Sequence, residues 1–326
     1  MKAILVDAPG DERVLRLGEL PAPPAGPQDL RLRVVATAVN RADLLQRQGF
    51  YPPPAGASPI LGLECAGEVV EVGSEVDGWR KGERAMALLA GGGYAEQVVV
   101  PAVCAIHVPD AFSWEEAAAT PEAFLTVFLN VFELGALPPG GAVLVHGGGS
   151  GIGTATIALV REAGARVFVT AGSKAKCERC LALGAALAVN YKTQSFAAEV
   201  RKATEGRGVD LVLDSIGAPY LADNLASLAV GGRLVLIGLM GGAKGEIALG
   251  ELIMRRLHLI GSALRTRPAD EKGSLIARFL ERFGAALSAG RVRPVVDRVL
   301  PLAEAAEAHR AMKASAHFGK IVLQVA

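Results

Sequence analysis

The 326-residue chain has little of several things that would fix its class at once. Four cysteines (Cys65, Cys104, Cys177 and Cys180) are too few for a disulfide scaffold, so buried apolar surface must supply the stability. Aromatic residues are 5% of the chain and the formal net charge is +1, with no long basic run. Nucleic-acid binding needs clustered cations and stacking rings, and has little support here. The opening Met1-Lys-Ala-Ile-Leu-Val-Asp7 is too short an apolar run for a signal peptide. One long stretch, Leu134–Val160, lacks any acid, lysine or arginine, but it contains Pro138-Pro139 and eight glycines and does not read as a membrane helix. The expectation is a soluble, cytoplasmic protein with neither a membrane nor a nucleic acid as partner.

What is present is apolar mass and glycine. Hydrophobic residues make up 51%, enough for a sizeable core, and at ~150 residues per domain the length suggests two domains. There are 39 glycines, well above the usual ~7%, without a collagen period, so they belong to turns and close backbone approaches. Residues 1–120 carry 10 basic and 16 acidic side chains (−6), residues 121–264 carry 13 and 11 (+2), and residues 265–326 carry 11 and 6 (+5).

The first third reads as β: Met1–Asp7, the alternating Leu30–Val35, Glu68–Val72 and Tyr94–Val100. Glycines at 62, 67, 73, 78 and 82 recur too often for helix, and the pattern suggests a small barrel. From residue 121 the character changes. Strands Ala142–His146, Arg166–Thr170, Ala186–Asn190, Val209–Asp214, Arg233–Gly238 and His258–Ala263 alternate with helical Thr154–Ala163, Lys174–Leu183 and Tyr220–Ala229. This is the signature of an α/β parallel sheet covered on both faces. The tail adds helical Ala269–Ala289 and Leu302–Met312 and a last strand, Lys320–Val325. The expected domains are 121–264 for nucleotide binding, inserted into a first domain of 1–120 and 265–326. That return would bring the −6 and +5 segments together.

The most informative segment is Val143-Leu-Val-His-Gly-Gly-Gly-Ser-Gly-Ile-Gly153, where a strand runs directly into glycines and a helix. Glycines permit a tight turn and a close approach to pyrophosphate, and the helix start supplies free N–H groups. The spacing is Gly148-x-x-Gly151-x-Gly153, with Ser150 and Ile152 between them, rather than G-x-G-x-x-G. The same glycines fit a short-chain dehydrogenase loop, but that chemistry needs Tyr-x-x-x-Lys. The residues four positions after the tyrosines are Ala55, Val98, Ser195 and Asn224. An NAD site usually has an acid about 20 residues past the glycines. Here Val169-Thr-Ala-Gly-Ser-Lys-Ala-Lys176 has none; Ser173, Lys174 and Lys176 suit a 2′-phosphate, which favours NADPH.

Segments spread in order along the chain carry a resemblance. They are Asn40-Arg-Ala-Asp43, Gln46-Arg-Gln-Gly-Phe-Tyr-Pro-Pro-Pro54, Leu61-Gly-Leu-Glu-Cys-Ala-Gly67, His146 to Gly153, Thr170-Ala-Gly-Ser173, Asn190-Tyr191, Gly238-Leu-Met-Gly-Gly242 and Gly319-Lys-Ile-Val322. Together they resemble the zinc-free quinone oxidoreductase branch of the medium-chain dehydrogenase/reductase superfamily, the zeta-crystallin-like proteins. The resemblance implies a GroES-like β-barrel catalytic domain plus a Rossmann domain with a doubly wound, six-stranded parallel sheet, the substrate cleft between them. In zinc-dependent relatives Gly-His-Glu supplies a ligand; here Leu63 stands at the histidine, and Asn40 at a cysteine ligand. Leucine cannot ligate zinc, asparagine is a poor ligand, and the four-cysteine lobe is missing, so no metal is expected.

The resemblance further implies cofactor contacts at Gly148, Ser150, Gly151, Ile152, Gly153, Ser173, Lys176 and Tyr191, with Leu239, Met240 and Gly241 bordering the nicotinamide. Asn40, Tyr51 and Arg265 would face the nicotinamide and the acceptor. His146 reads as structural. The implied activity is NADPH-dependent reduction of a quinone, in which the protein positions two rings and offers donors to a developing oxyanion. Reduction of an enone or enoyl thioester by the same fold is the alternative, and a non-catalytic cofactor-binding or RNA-binding role the remoter one. The resemblance also implies a homodimer through the sixth strand at the sheet edge.

Overall fold

A computed structural model of the chain describes residues 1–325. The chain forms two compact units, Met1–Leu125 with Arg265–Ala326, and Thr126–Leu264.

In the first unit, β1 (Lys2–Val6) pairs antiparallel with β2 (Leu15–Glu19). The alternation Leu-Arg-Leu-Arg-Val lies in β3 (Asp29–Ala38), where Leu30, Leu32 and Val34 are fully buried and Arg33 is exposed. Next come α1 (Arg41–Arg47), β4 (Glu64–Val72), β5 (Arg84–Leu88), β6 (Gln97–Pro101), β7 (Ala105–His107), α2 (Trp114–Ala118) and α3 (Pro121–Val127). β3 pairs with β4 along one edge, and its other edge is shared between β6 and a strand from the chain's end. Helix α1 stands where no helix is expected from hydrophobic periodicity. Its signal is the Asn40-x-x-Asp43 spacing: the Asp43 carboxylate accepts from the Asn40 N–H at 2.7 Å and so caps the helix start.

The second unit alternates β8 (Ala142–His146), α4 (Gly151–Glu162), β9 (Arg166–Ala171), α5 (Lys174–Ala182), β10 (Leu187–Asn190), α6 (Phe196–Ala203), β11 (Val209–Asp214), α7 (Leu221–Ser227), β12 (Leu228–Leu236), α8 (Leu249–Arg255) and β13 (His258–Gly261). The six strands are all parallel in the order β10-β9-β8-β11-β12-β13, the doubly wound α/β arrangement that the strand–helix alternation implies. The order reverses between β8 and β11, which puts the carboxyl ends of those strands at the topological switch point. The apolar stretch Leu134–Val160 resolves into buried β8, the glycine turn and α4. One expected boundary is wrong. The helix expected over Tyr220–Ala229 ends at Ser227, and residues from Leu228 already belong to β12. Gly231, at φ +78°, and Gly232 make that strand irregular and hide its start from a period-2 reading.

The chain then returns to the first unit with α9 (Ala269–Ser288), β14 (Val296–Pro301), α10 (Ala305–Lys313) and β15 (Lys320–Gln324). β15 runs parallel to β14 and antiparallel to β3. No helix among the described residues is long and apolar enough to cross a membrane.

Gly67 lies in β4 opposite Val34, where a Cβ would overlap the Arg33 carbonyl of β3. Gly67→Ala is expected to destabilise the first unit by about 1–3 kcal/mol, read as a lower urea midpoint.

Candidate functional site: a glycine-lined sheet edge and a buried polar cluster

At the switch point of the second unit, β8 ends at His146 and the chain turns through Gly147, at φ +75°. The turn is tight. A Cβ on Gly153 would lie 2.5 Å from the Gly147 carbonyl oxygen, and one on Gly148 would lie 2.7 Å from Cβ of Val169 on β9. Ser150 caps α4, its Oγ accepting from the Gly153 N–H at 3.0 Å. Gly151 and Ile152 head the helix, where N–H groups have no intrahelical carbonyl.

His146 anchors this turn rather than facing a ligand. It is buried, its Nε2 lies 2.7 Å from Asn224 Oδ1 and its Nδ1 3.0 Å from Thr170 Oγ1. With the Asn224 oxygen as acceptor, Nε2 carries the proton and Nδ1 accepts from Thr170. Burial holds its pKa below the ordinary value, so the ring is neutral. Asn224 Nδ2 in turn donates to Asp214 (3.0 Å), whose carboxylate accepts from the N–H groups of Ile216 (2.6 Å) and Gly217 (3.0 Å). Those residues hold the next loop: the Met240 and Gly241 N–H groups donate to the Ser215 and Ile216 carbonyls, leaving the Leu239 and Met240 side chains half exposed. One buried network therefore links the glycine turn to the 239–242 loop.

The end of β9 carries no carboxylate in Ala171-Gly-Ser-Lys174. Ser173 caps α5, accepting from the Lys176 N–H at 3.3 Å, and Tyr191 lies against Gly172 so closely that a Cβ there would meet its hydroxyl at 2.7 Å. Tyr191 is partly exposed. The geometry fits a dinucleotide: a glycine cradle, the head of a helix, and a β9 end that carries a serine cap and a neighbouring tyrosine and no carboxylate.

The first unit holds a buried polar cluster. Lys320 Nζ donates to Glu64 Oε1 and to Asn40 Oδ1, each at 2.6 Å. Asn40 Nδ2 donates to Glu64 Oε1 (2.9 Å) and the Ala38 carbonyl (3.3 Å), and the Glu122 N–H donates to Glu64 Oε2 (2.9 Å). Asp43 Oδ1 accepts from the Gly62 N–H (3.0 Å), and Oδ2 accepts from the Tyr94 hydroxyl (3.2 Å). Tyr94 meets His309 Nε2, and Arg47 meets His309 Nδ1, each at 3.1 Å. Burial and Arg47 push His309 down to about 3, so it too stays neutral. Burial raises Asp43 to about 6 against its backbone donors.

Of the three donors expected at the acceptor, Asn40 and Arg265 both make hydrogen bonds inside the chain. Both ends of the Asn40 amide are bonded as above. Arg265 is buried and donates to the Ala90 carbonyl (2.9 Å), the Tyr51 carbonyl (3.3 Å) and Gln46 Oε1 (2.6 Å), its guanidinium 5.2 Å from the centre of the Tyr51 ring. The Tyr51 hydroxyl donates to nothing among the described residues. Sequence reasoning missed Lys320, Asp43, Tyr94, His309 and Glu122. Only Asn40-x-x-Asp43 left a local signal, because the others meet across more than fifty residues. No set of three histidine, cysteine or acidic side chains gathers as metal ligands among the described residues.

Lys320→Met is expected to leave the buried Glu64 carboxylate uncompensated and to destabilise the first unit by about 3–5 kcal/mol in urea unfolding. Adding Glu64→Gln to that variant is expected to restore part of the loss.

Residues 26–110 match the alcohol dehydrogenase GroES-like domain family, and residues 151–281 match the zinc-binding dehydrogenase family. The human synaptic vesicle membrane protein VAT-1 homolog is 32% identical over 98% of this chain and 85% of that protein. The chain is also 32% identical, over 98% of its length, to a phenolphthiocerol/phthiocerol polyketide synthase of Mycobacterium tuberculosis, but spans only 14% of that protein. Among solved structures, an NAD-dependent alcohol dehydrogenase matches with a TM-score of 0.89 at 35% identity, covering 100% of both chains. Escherichia coli quinone oxidoreductase complexed with NADPH matches at 0.88 and 27%, again over 100% of both chains. With the GroES-like strands, the doubly wound sheet and these matches together, the chain belongs to the medium-chain dehydrogenase/reductase superfamily of oxidoreductases, in the branch that holds the quinone oxidoreductases.

Proposed function

We propose that the protein is an NADPH-dependent quinone reductase. One observation carries the cofactor choice: β9 ends in a serine cap and a lysine where NAD sites hold a carboxylate, beside a tyrosine seated on Gly172. The likeness to Escherichia coli quinone oxidoreductase complexed with NADPH supports both the cofactor and the acceptor class.

When bound, NADPH supplies a hydride from C4 of its nicotinamide. The chain's residues do the rest. The N–H groups of Gly151 and Ile152 would hold the pyrophosphate, in the cradle that Gly148, Ser150 and Gly153 keep open. Ser173 and Lys176 would hold the 2′-phosphate, and Tyr191 the adenosine. Leu239, Met240 and Gly241 would border the nicotinamide, a role that suits the two half-exposed apolar side chains there. The Tyr51 hydroxyl, which donates to nothing among the described residues, is the donor for the acceptor's oxygen. Asn40 and Arg265 act by position, Asn40 by fixing the start of α1 and Arg265 by clamping Gln46, Tyr51 and Ala90.

Reduction of an activated C=C bond is the second reading. It is favoured by the match to a stretch of a polyketide synthase and by likeness to the CurF ER cyclopropanase of curacin A biosynthesis (TM-score 0.85, 25% identity). We also propose a homodimer formed along β13, which lies at the sheet edge next to the exposed Leu249, Ile253 and Met254 of α8.

Three measurements test these proposals. NADPH consumption is followed with an ortho-quinone, a para-quinone, a small enone and an enoyl-CoA. Turnover is expected with the quinones, and no oxidation with any quinone overturns the reading. Lys176→Ala is expected to cut the preference for NADPH over NADH roughly tenfold or more; an unchanged preference removes the phosphate assignment. Light scattering is expected to give twice the 33.7 kDa chain mass, and a monomer removes the β13 pairing.

A further inference from the structure

Glu122 stands at the start of α3 and is the one acid near Lys320 with an unpartnered carboxyl oxygen among the described residues. Its backbone N–H donates to Glu64 Oε2, which brings its own carboxyl beside a second carboxylate. Its Oε2 is buried and has no hydrogen-bond partner. The groups that face it come from several elements: Glu64 on β4, Lys320 on β15, Asp43 on α1, Lys272 on α9, and Arg265 and Tyr51. None of the cations among them donates to Glu122 Oε2. Lys320 is held by Glu64 and Asn40, Lys272 Nζ donates to the Arg265 carbonyl at 2.8 Å, and Arg265 donates to Ala90, Tyr51 and Gln46.

A buried carboxylate oxygen without a hydrogen-bond donor is costly, and the escape is to take up a proton. The unpartnered oxygen then becomes an O–H donor. The electrostatics agree: burial first, then the neighbouring Glu64 carboxylate, push Glu122 up to about 8. A neutral acid of this kind is suited to donate to an oxygen that gains negative charge during reaction.

We propose that Glu122 is the proton donor to the reduced acceptor, delivering its proton to the oxygen left anionic by hydride uptake. The inference rests on the quinone-reductase reading. A quinone that has accepted a hydride is a hydroquinone monoanion, one proton short of product. The O–H bond of Glu122 breaks, its electron pair stays on the carboxylate, and a new O–H bond forms on the phenolate oxygen. Water then returns a proton to Glu122. Neither Asn40 nor Arg265 titrates near neutrality, and burial raises the Tyr51 hydroxyl still higher, so Tyr51 donates a hydrogen bond while Glu122 supplies the proton.

The test compares wild type with Glu122→Gln and Glu122→Asp, and its first readout needs no turnover. Because the folded value of Glu122, about 8, lies above the ordinary 4.5, its contribution is fully present below pH 4.5 and is lost as pH rises to about 8. The wild type is therefore expected to lose thermal stability relative to Glu122→Gln between pH 5 and pH 8, the difference levelling off above. A difference that does not change with pH overturns the proposal. The second readout is the pH profile of kcat with a para-quinone. Wild type is expected to decline above pH 8. Glu122→Gln is expected to lose that limb and about 100-fold in kcat, with NADPH affinity unchanged. Glu122→Asp is expected to regain part of both. The Glu122→Gln defect should shrink with a tetrahalogenated quinone, whose hydroquinone monoanion needs no proton at neutral pH. A Glu122→Gln enzyme that keeps the alkaline limb and its kcat overturns the proposal. Wild-type protein that reduces no quinone fails the acceptor reading instead, and the stability comparison still decides where the proton of Glu122 sits.

Discussion

The Lys320 ammonium lies 2.6 Å from both Glu64 Oε1 and Asn40 Oδ1, and both charged side chains are almost wholly out of water. Such a pair gains little net stability over an apolar replacement, but neither partner can be lost alone without stranding a charge. That constraint organises the first unit. Lys320 ties β15 to β4 and to the residue before α1, and from Asn40 the polar chain continues through Asp43, Tyr94, His309 and Arg47. Elements far apart in sequence are held in one register by groups that each need a partner. The same accounting singles out Glu122, whose Oε2 is buried with no hydrogen-bond partner.

The second unit uses a buried hydrogen-bond network for a comparable end. His146, Thr170, Asn224 and Asp214 tie the glycine turn to the loops that follow β11 and β12. A cofactor edge built of glycines has few side chains to stiffen it, and buried hydrogen bonds behind the edge supply that stiffness. Buried polar networks therefore serve both units: one joins strands and helices of the first, and the other holds the loops that follow the strands of the second.

Much of this is legible in the sequence where the signal is local. The Leu-Arg alternation of β3, the strand–glycine–helix run at 143–153 and the missing acid after β9 each need only neighbouring residues. The 228–232 boundary is not legible, because two glycines erase the strand period. Helix α1 escapes a periodicity reading because its seven residues are too short to show a period, although its cap at Asn40 and Asp43 is written locally. Asn40 and Arg265 are expected from sequence as donors toward an acceptor, and the structure shows both Asn40 amide N–H groups and three N–H groups of Arg265 bonded inside the chain. Sequence shows which groups a residue carries but not whether another group has claimed them. Glu122 is invisible for the complementary reason: its distinction is the absence of a partner, and that emerges only when residues 64, 265, 272 and 320 have been brought around it.

The central claim is that the chain positions a nicotinamide for direct, stereospecific hydride delivery to a quinone. The most direct measurement is a single turnover of the purified protein with NADPH carrying deuterium on one or the other face of C4. The account predicts a slower turnover, and loss of the deuterium from the nucleotide, for one face only. Equal rates and equal label loss from both faces would contradict it.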